Sequence, residues 1–212
     1  RNFIMKEEKK ATRQSYGETL EKLGEKYEDI VVLDADLATA TKTINFEKKF
    51  PERFFDMGIA EANMMSTAAG IATTGKVPFA STFAVFAAGR SYDQIRNSIC
   101  YPKLNVKICS THAGITVGED GATHQMLEDI SMMRTLPNMK VLSPADDIET
   151  KWAIEEAYKQ KGPVYVRLSR LATPIIYDEN QEFDFGKMIQ FGSGTDATIF
   201  ASRRRASRVI KS

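Results

Sequence analysis

Little in these 212 residues is suited to metal or redox chemistry: there are two histidines, two cysteines and one tryptophan. Cys100 and Cys109 show no metal-ligand spacing and are too few for a disulfide framework. They are expected as two buried thiols in a reducing, cytoplasmic setting. Excess charge of one sign is missing too. Twenty-nine Lys and Arg against 28 Asp and Glu leave a net +1, so no general attraction to nucleic acid or anionic membrane is expected. No apolar run approaches the length that spans a bilayer, and the opening RNFIMKEEKK lacks the apolar core of a secretory leader. There is no Ser-elbow motif, no phosphate loop of the GxxxxGK[ST] type, and no internal repeat. With 42% hydrophobic and 27% charged residues, the chain has the composition of a globular protein with one good core and additions.

What is present is alternation. Thr12 is placed to cap a helix running to about Tyr27, with Tyr16, Leu20 and Leu23 on one face. Ile30–Asp34 reads as a buried strand, and a short Lys/Glu-rich helix ends before Pro51. Arg53–Asp56 is the next strand, followed by an apolar helix stopped by Gly75. Strands are expected at Pro78–Phe83, Leu104–Cys109, Met139–Leu142 and Pro163–Leu168, and helices at Val85–Ser98 and Leu127–Arg134. Ser143-Pro144 reads as a helix start, with Ser as cap, and that helix runs to about Gln160. Short apolar strands alternating with helices predict an α/β fold. It is a doubly wound, mostly parallel sheet of about six strands with helices on both faces. Ligands in such sheets bind beyond the carboxyl ends of the strands. The loops concerned begin at Asp34, Met57, Phe83, Ser110, Ser143 and Ser169.

Two domains are expected: residues 1–176, and residues 177–212 as a linker with the start of another domain. Residues 177–196 are polar and Gly-rich. Ala197–Phe200 resembles a first strand, and the Arg-rich ending ASRRRASRVIKS is expected as a solvated tail.

Two stretches stand out chemically. Glu61 is the only charged side chain between Asp56 and Lys76. A helix apolar on nearly every face would be buried all round. A lone carboxylate there is costly without a partner or a task, and desolvation favours its neutral, proton-donating form. A carboxylate satisfied by a helix start is the plainer reading of the spacing alone. The second stretch is STHAGITVGEDGATHQ, which holds both histidines, His112 and His124, with Glu119 and Asp120 between glycines. Glycines there permit sharp turns and close backbone approach to a ligand. The loop suits polar-ligand binding better than metal, because His112, Asp120 and His124 lack a standard ligand spacing; no metal site is expected on this chain.

The segments GIAEANM, PFASTFAVF, THAGITVGEDGATHQ and LEDISMMRTLPNMKVLSPAD, with ATRQSYGETLEKLG and VRLSR, together resemble the pyrimidine-binding domain of transketolase. The resemblance runs in order over roughly residues 11 to 172, with GEDGATHQ its most specific piece. It implies thiamin diphosphate as cofactor. Glu61 is similar to the glutamate that hydrogen-bonds the pyrimidine nitrogen and favours the tautomer that activates the thiazolium carbon. Phe83 and Phe86 resemble the aromatic seat of the pyrimidine, with Arg90 close by where the family often has a tyrosine at the position of Gly89. His112, Asp120 and His124 resemble sugar contacts, the two histidines with catalytic roles. Arg13 and Arg170 resemble phosphate binders, while the family's phosphate-contacting serine is replaced near Ala40 and Thr41.

The family's Gly-Asp-Gly sequence for Mg²⁺ is not present in the 212 residues. The resemblance therefore implies the second half of a split transketolase of the pentose phosphate pathway. A partner N-terminal subunit would hold Mg²⁺ and the diphosphate. A homodimer contact through the pyrimidine domain, and sugar phosphate substrates, are implied too. A deoxyxylulose-phosphate synthase-like or other thiamin-dependent half-enzyme, or a silent scaffold subunit, is the alternative.

Overall fold

The computed structural model describes residues 8–202. The expectations for RNFIMKEEKK and for the Arg-rich tail fall mostly outside them. Six strands form one sheet: β2 (Ile30–Asp34), β3 (Phe54–Asp56), β4 (Val77–Phe83), β5 (Lys107–Thr111), β6 (Lys140–Leu142) and β7 (Val164–Arg167). Their order is β3-β2-β4-β5-β7-β6, parallel at every pairing. β2, β4, β5 and β7 are buried along their whole length. That matches their near-continuous apolar texture, as parallel strands covered on both faces require.

The two faces have separate cores. One packs Met64, Met65, Ala68, Ile95, Ile99 and Ile108. The other packs Tyr16, Leu20, Phe46, Phe79, Ile154 and Val166. Chain order jumps outward in both directions from the centre of the sheet, which makes it doubly wound.

Several local expectations are corrected. A second sheet pairs β1 (Lys9–Ala11) with β8 (Ala172–Pro174), antiparallel, and beyond it Tyr177, Phe183, Ile189 and Phe191 still pack with Ala145, Ile148 and Trp152, so the expected linker stays tied to the domain to at least Phe191. The helix α1 (Thr12–Lys26) is not capped by Thr12: Ala11 is the capping position, with no side-chain bond. The Thr12 hydroxyl instead accepts from the Ser169 amide at 2.7 Å. The helix after β4 is not regular. Val85–Arg90 and Ile95–Cys100 are π-helical on either side of Tyr92–Gln94, and the amide of Ser91 reaches back five residues to the carbonyl of Phe86.

β5 begins at Lys107 rather than Leu104, because tight backbone bonds engage Leu104 and Val106 locally. The helix from Leu127 starts two residues later, at Asp129. The helix predicted from Ser143 begins at Asp147 and runs to Lys159. Its cap is Asp146, whose carboxylate accepts from the Glu149 amide at 2.9 Å and also from the amides of Ile176 and Tyr177. A carboxylate with three amide donors outcompetes a serine hydroxyl; the Ser143 hydroxyl is buried without a partner among the described residues. Ala197–Phe200 is irregular and exposed, not a strand: it has neither a neighbouring strand nor a core to pack against.

Candidate functional site

The site lies beyond the carboxyl ends of β2, β4, β5 and β7 and is built from four chain segments. The first is the turn into α4 (Glu61–Thr73). Gly58 has φ +66, and its amide donates to the Asp56 carboxylate at 2.9 Å. This turn sets Glu61 as the first residue of α4, 3% exposed. The helix is not buried all round: Asn63, Ser66 and Gly70 form an exposed face of small residues. Nor is Glu61 unpaired, as its isolation in sequence suggested. Arg90 Nη1 donates to its Oε1 at 2.9 Å. The partner stands 29 positions away on another element, so no local pattern reveals it. Among the described residues, Oε2 takes no hydrogen bond.

The second segment carries the aromatics. Phe83 ends β4, and the π turn after it brings Phe86 and Arg90 to the same side. The Phe83 and Phe86 rings lie nearly parallel, 9° apart in plane with centroids 5.9 Å apart. Arg90 lies over Phe86 at 4.2 Å, so one guanidinium touches both the ring and the Glu61 carboxylate. Interruptions of this kind in a helix place side chains that a regular repeat would turn away.

The third segment is the loop after β5. His112 has φ +57 and is 3% exposed. Its ring stacks on Phe83 at 3.7 Å, and Nδ1 lies 2.9 Å from the Thr111 hydroxyl. Burial, then the charges of Arg13 and Arg170, push its pKa down to about 3. His112 is therefore a neutral imidazole at any physiological pH, a hydrogen-bonding group rather than a cation. His124 meets Phe83 and Phe86 edge-on, at 6.4 and 5.3 Å. Asp120 is exposed and makes no hydrogen bond among the described residues. The loop brings the histidines onto the aromatic pair and leaves Asp120 outside it.

The fourth segment pairs the start of α1 with the end of β7. Arg13 donates to the Ala40 carbonyl at 2.9 Å, and Arg170 to the Val117 carbonyl at 2.5 Å. Neither has an acidic partner among the described residues. Burial lowers the Arg13 pKa, and the charge of Arg170 lowers it further. Two guanidiniums near one another without carboxylates make an anion-attracting corner.

Three contributors escaped the sequence reading: Gly118, Asp34 and Thr43. Gly118 has φ +94, and a Cβ there would lie 1.7 Å from Arg170 Nη1. Asp34, fully buried, accepts from the Thr41 and Thr43 hydroxyls at 2.7 and 2.9 Å. Burial raises its pKa to about 6 against those bonds. Thr41, near which the sequence placed a substitute for a phosphate-contacting serine, is thereby turned inward. The glycines of GEDG were a signal for the first of these; nothing in LDADLATAT pointed to the others. No group of three or more His, Cys, Asp or Glu placed to hold a metal occurs among the described residues. No helix among them is long and apolar enough to cross a membrane.

Comparison with known proteins places this geometry. The family model described as transketolase, pyrimidine binding domain, matches residues 8–175. A transketolase C-terminal section from Methanocaldococcus jannaschii is 54% identical over 204 residues, 95% of this chain and 65% of the relative. A 6-deoxy-6-sulfo-D-fructose transketolase subunit from Clostridium sp. is 40% identical, over 94% of this chain and 62% of that protein. Human transketolase is 41% identical over 85% of this chain and 29% of its own length. Among solved structures, a split-gene transketolase, an inactive beta4 tetramer, is 56% identical. It superposes with a TM-score of 0.75 over 84% of this chain and 57% of that one. Each of these proteins is longer, and this chain spans less than two thirds of any of them.

Proposed function

This chain belongs to the transketolase pyrimidine-binding domain family, and from that membership we propose that it is the pyrimidine-binding half of a thiamin-diphosphate-dependent transketolase. The reaction is transfer of a two-carbon ketol unit from a ketose phosphate to an aldose phosphate. The observation that carries the reading is the junction at Arg90, where a buried carboxylate, a guanidinium and two parallel aromatic rings meet.

Those residues fit an aminopyrimidine. Phe83 and Phe86 offer flat apolar faces to a flat ring. Glu61 offers a buried carboxyl with one oxygen not engaged among the described residues, able to share a proton with a ring nitrogen. When bound, thiamin diphosphate supplies the electron sink that a ketol carbanion needs. The chain's own residues bind, orient and handle protons. Arg90 orients the carboxyl of Glu61 through Oε1. His112, held neutral with Nδ1 engaged by the Thr111 hydroxyl, has Nε2 left for one hydrogen bond to a sugar hydroxyl or carbonyl. His124 contacts the hydroxyls, with Asp120 exposed on the same loop as a further sugar contact. Arg13 and Arg170 take the terminal phosphate.

Mg²⁺ and the diphosphate are held by an N-terminal partner subunit. The exposed small-residue face of α4 and Ile59, 76% exposed, support a contact with that partner or a second copy. Residues 177 onward lead into a further domain in this reading, and the setting is cytoplasmic, in the pentose phosphate pathway. The test is reconstitution. The chain alone is expected to show no metal-dependent cofactor binding, and the mixture with a transketolase N-terminal subunit to show both binding and ketol transfer. A monomer of this chain that binds the magnesium cofactor and turns over sugar phosphates alone would overturn it.

A further inference from the structure

The segment after β2 is a poor candidate for a rigid support. Its helix, α2 (Ala38–Thr41), is four residues long with no side-chain cap, and it ends at Lys42 in the left-handed region, φ 75. A single turn of helix does not persist without tertiary support. Yet its Ala40 carbonyl is the one hydrogen-bond acceptor of the Arg13 guanidinium among the described residues.

Two contacts supply the support. From the sheet side, Asp34 holds the segment at three points. Its Oδ1 accepts from the Leu37 amide at 2.7 Å, and Oδ2 accepts from the hydroxyls of Thr41 and Thr43. The two hydroxyls also meet each other at 3.0 Å. From the helix side, Lys42 lies so close to Gly17 that a Cβ there would be 2.5 Å from the Lys42 carbonyl oxygen. Gly17 is four residues after Arg13, on the same face of α1. The segment is thus clamped on the face from which Arg13 projects.

We propose that Asp34 is a positioning residue for Arg13. By fixing Thr41, Thr43 and Leu37 it fixes the Ala40 carbonyl, and so aims the Arg13 guanidinium beside Arg170 at the phosphate of the substrate. The proposal rests on the reading of Arg13 and Arg170 as the phosphate corner. It also accounts for a buried acid with no cationic partner among the described residues: Asp34 acts through neutral hydroxyls on a carbonyl, and leaves the charge of Arg13 available to the ligand.

The experiment uses the full chain with inorganic phosphate as probe, read on the arginine Nε–Hε resonances. Phosphate is expected to shift the Arg13 and Arg170 signals of the wild type. In Thr41→Val/Thr43→Val, which keeps shape and removes both hydroxyls, phosphate affinity is expected to weaken about tenfold, the size of one charge-assisted bond. The Arg13 signal should broaden or move in that variant before any phosphate is added. Thr41→Ser/Thr43→Ser should restore both. Asp34→Asn is the second variant should the double one melt without cooperativity. Binding that Arg13→Ala weakens, but that the Thr and Asp34 variants leave unchanged, overturns the positioning role and keeps the phosphate corner. Phosphate that shifts neither guanidinium, or binding indifferent to Arg13→Ala, removes the corner and the proposal together. Weakening that the Ser pair fails to rescue marks a merely structural network and overturns the positioning role.

Discussion

The two ends of the sheet bury cations in opposite ways. At the amino end of β5, Lys107 is fully buried. Its three donors are all in use, on the Asn105 side chain at 2.7 Å, the Gln160 carbonyl at 2.6 Å and the Gly162 carbonyl at 2.9 Å. Beside it the half-buried Lys140 donates to the Gln160 side chain and the Lys161 carbonyl, both at 2.8 Å. At the carboxyl end, the half-buried Arg13 and Arg170 have five N–H donors each, and among the described residues each guanidinium makes one bond, to a carbonyl. A saturated buried cation closes the C-terminal end of a helix. An unsaturated pair leaves hydrogen-bonding capacity facing solvent or ligand. Saturation and burial together set Lys107 apart from the half-buried Arg13 and Arg170 of the candidate site.

The sharpest break of the comparison falls on Glu61. Glu61→Gln in the assembled enzyme is expected to keep the fold and lower ketol transfer by roughly 10²–10⁴-fold, the range for losing a positioned proton-transfer group. Steady-state rates beside a melting curve check this, and unchanged turnover would return Glu61 to the class of structural carboxylates.

Gly118→Ala probes the arginine corner of the same carboxyl end. The substitution strains a backbone at φ +94 and drives a methyl into Arg170. The KM for a phosphorylated aldose should rise about 10–100-fold, as a displaced charge-assisted bond costs about 1–3 kcal/mol, while the unphosphorylated sugar is affected far less. Equal losses for the two sugars would mean that the loop, not Arg170, was damaged.

At the structural end, Lys107→Met should lower stability by about 1–3 kcal/mol, since it leaves two partly buried carbonyls without their donor. Burial, with the nearby charge of Lys140, holds the Lys107 pKa down to about 7. Between that value and the ordinary lysine range the unfolded chain binds the extra proton. Stability from this group therefore rises with pH above about 7 and is lost as pH falls through it. Denaturant midpoints across pH 7 to 10 should slope upward in the wild type and flatten in the variant.

The smallest effect belongs to His112. Its pKa, held near 3, means that the unfolded chain takes up the proton first, from about pH 6.5 downward. Its contribution is complete above that value and declines as pH falls toward 3, by at most about 1.4 kcal/mol per pH unit. His112→Gln should make the acid limb of the stability curve shallower without moving its plateau by more than about 1 kcal/mol.

The alternation of apolar strands with helices determined the fold class, because a parallel sheet buried on both faces admits few other patterns. GIAE and GEDGATHQ marked the loops of the site, since lone polar groups in apolar surroundings and clustered glycines are legible one segment at a time. The structure alone decided the partners. Arg90 reaches Glu61 only because a π turn rotates it there. Asp34 reaches Thr41 and Thr43 only because their loop folds back over the strand end. Asp146, not Ser143, caps the helix because the chain 30 residues later returns to it. Each of these is a contact between segments far apart in sequence, with energy set by burial and geometry, and neither quantity exists until the chain has folded.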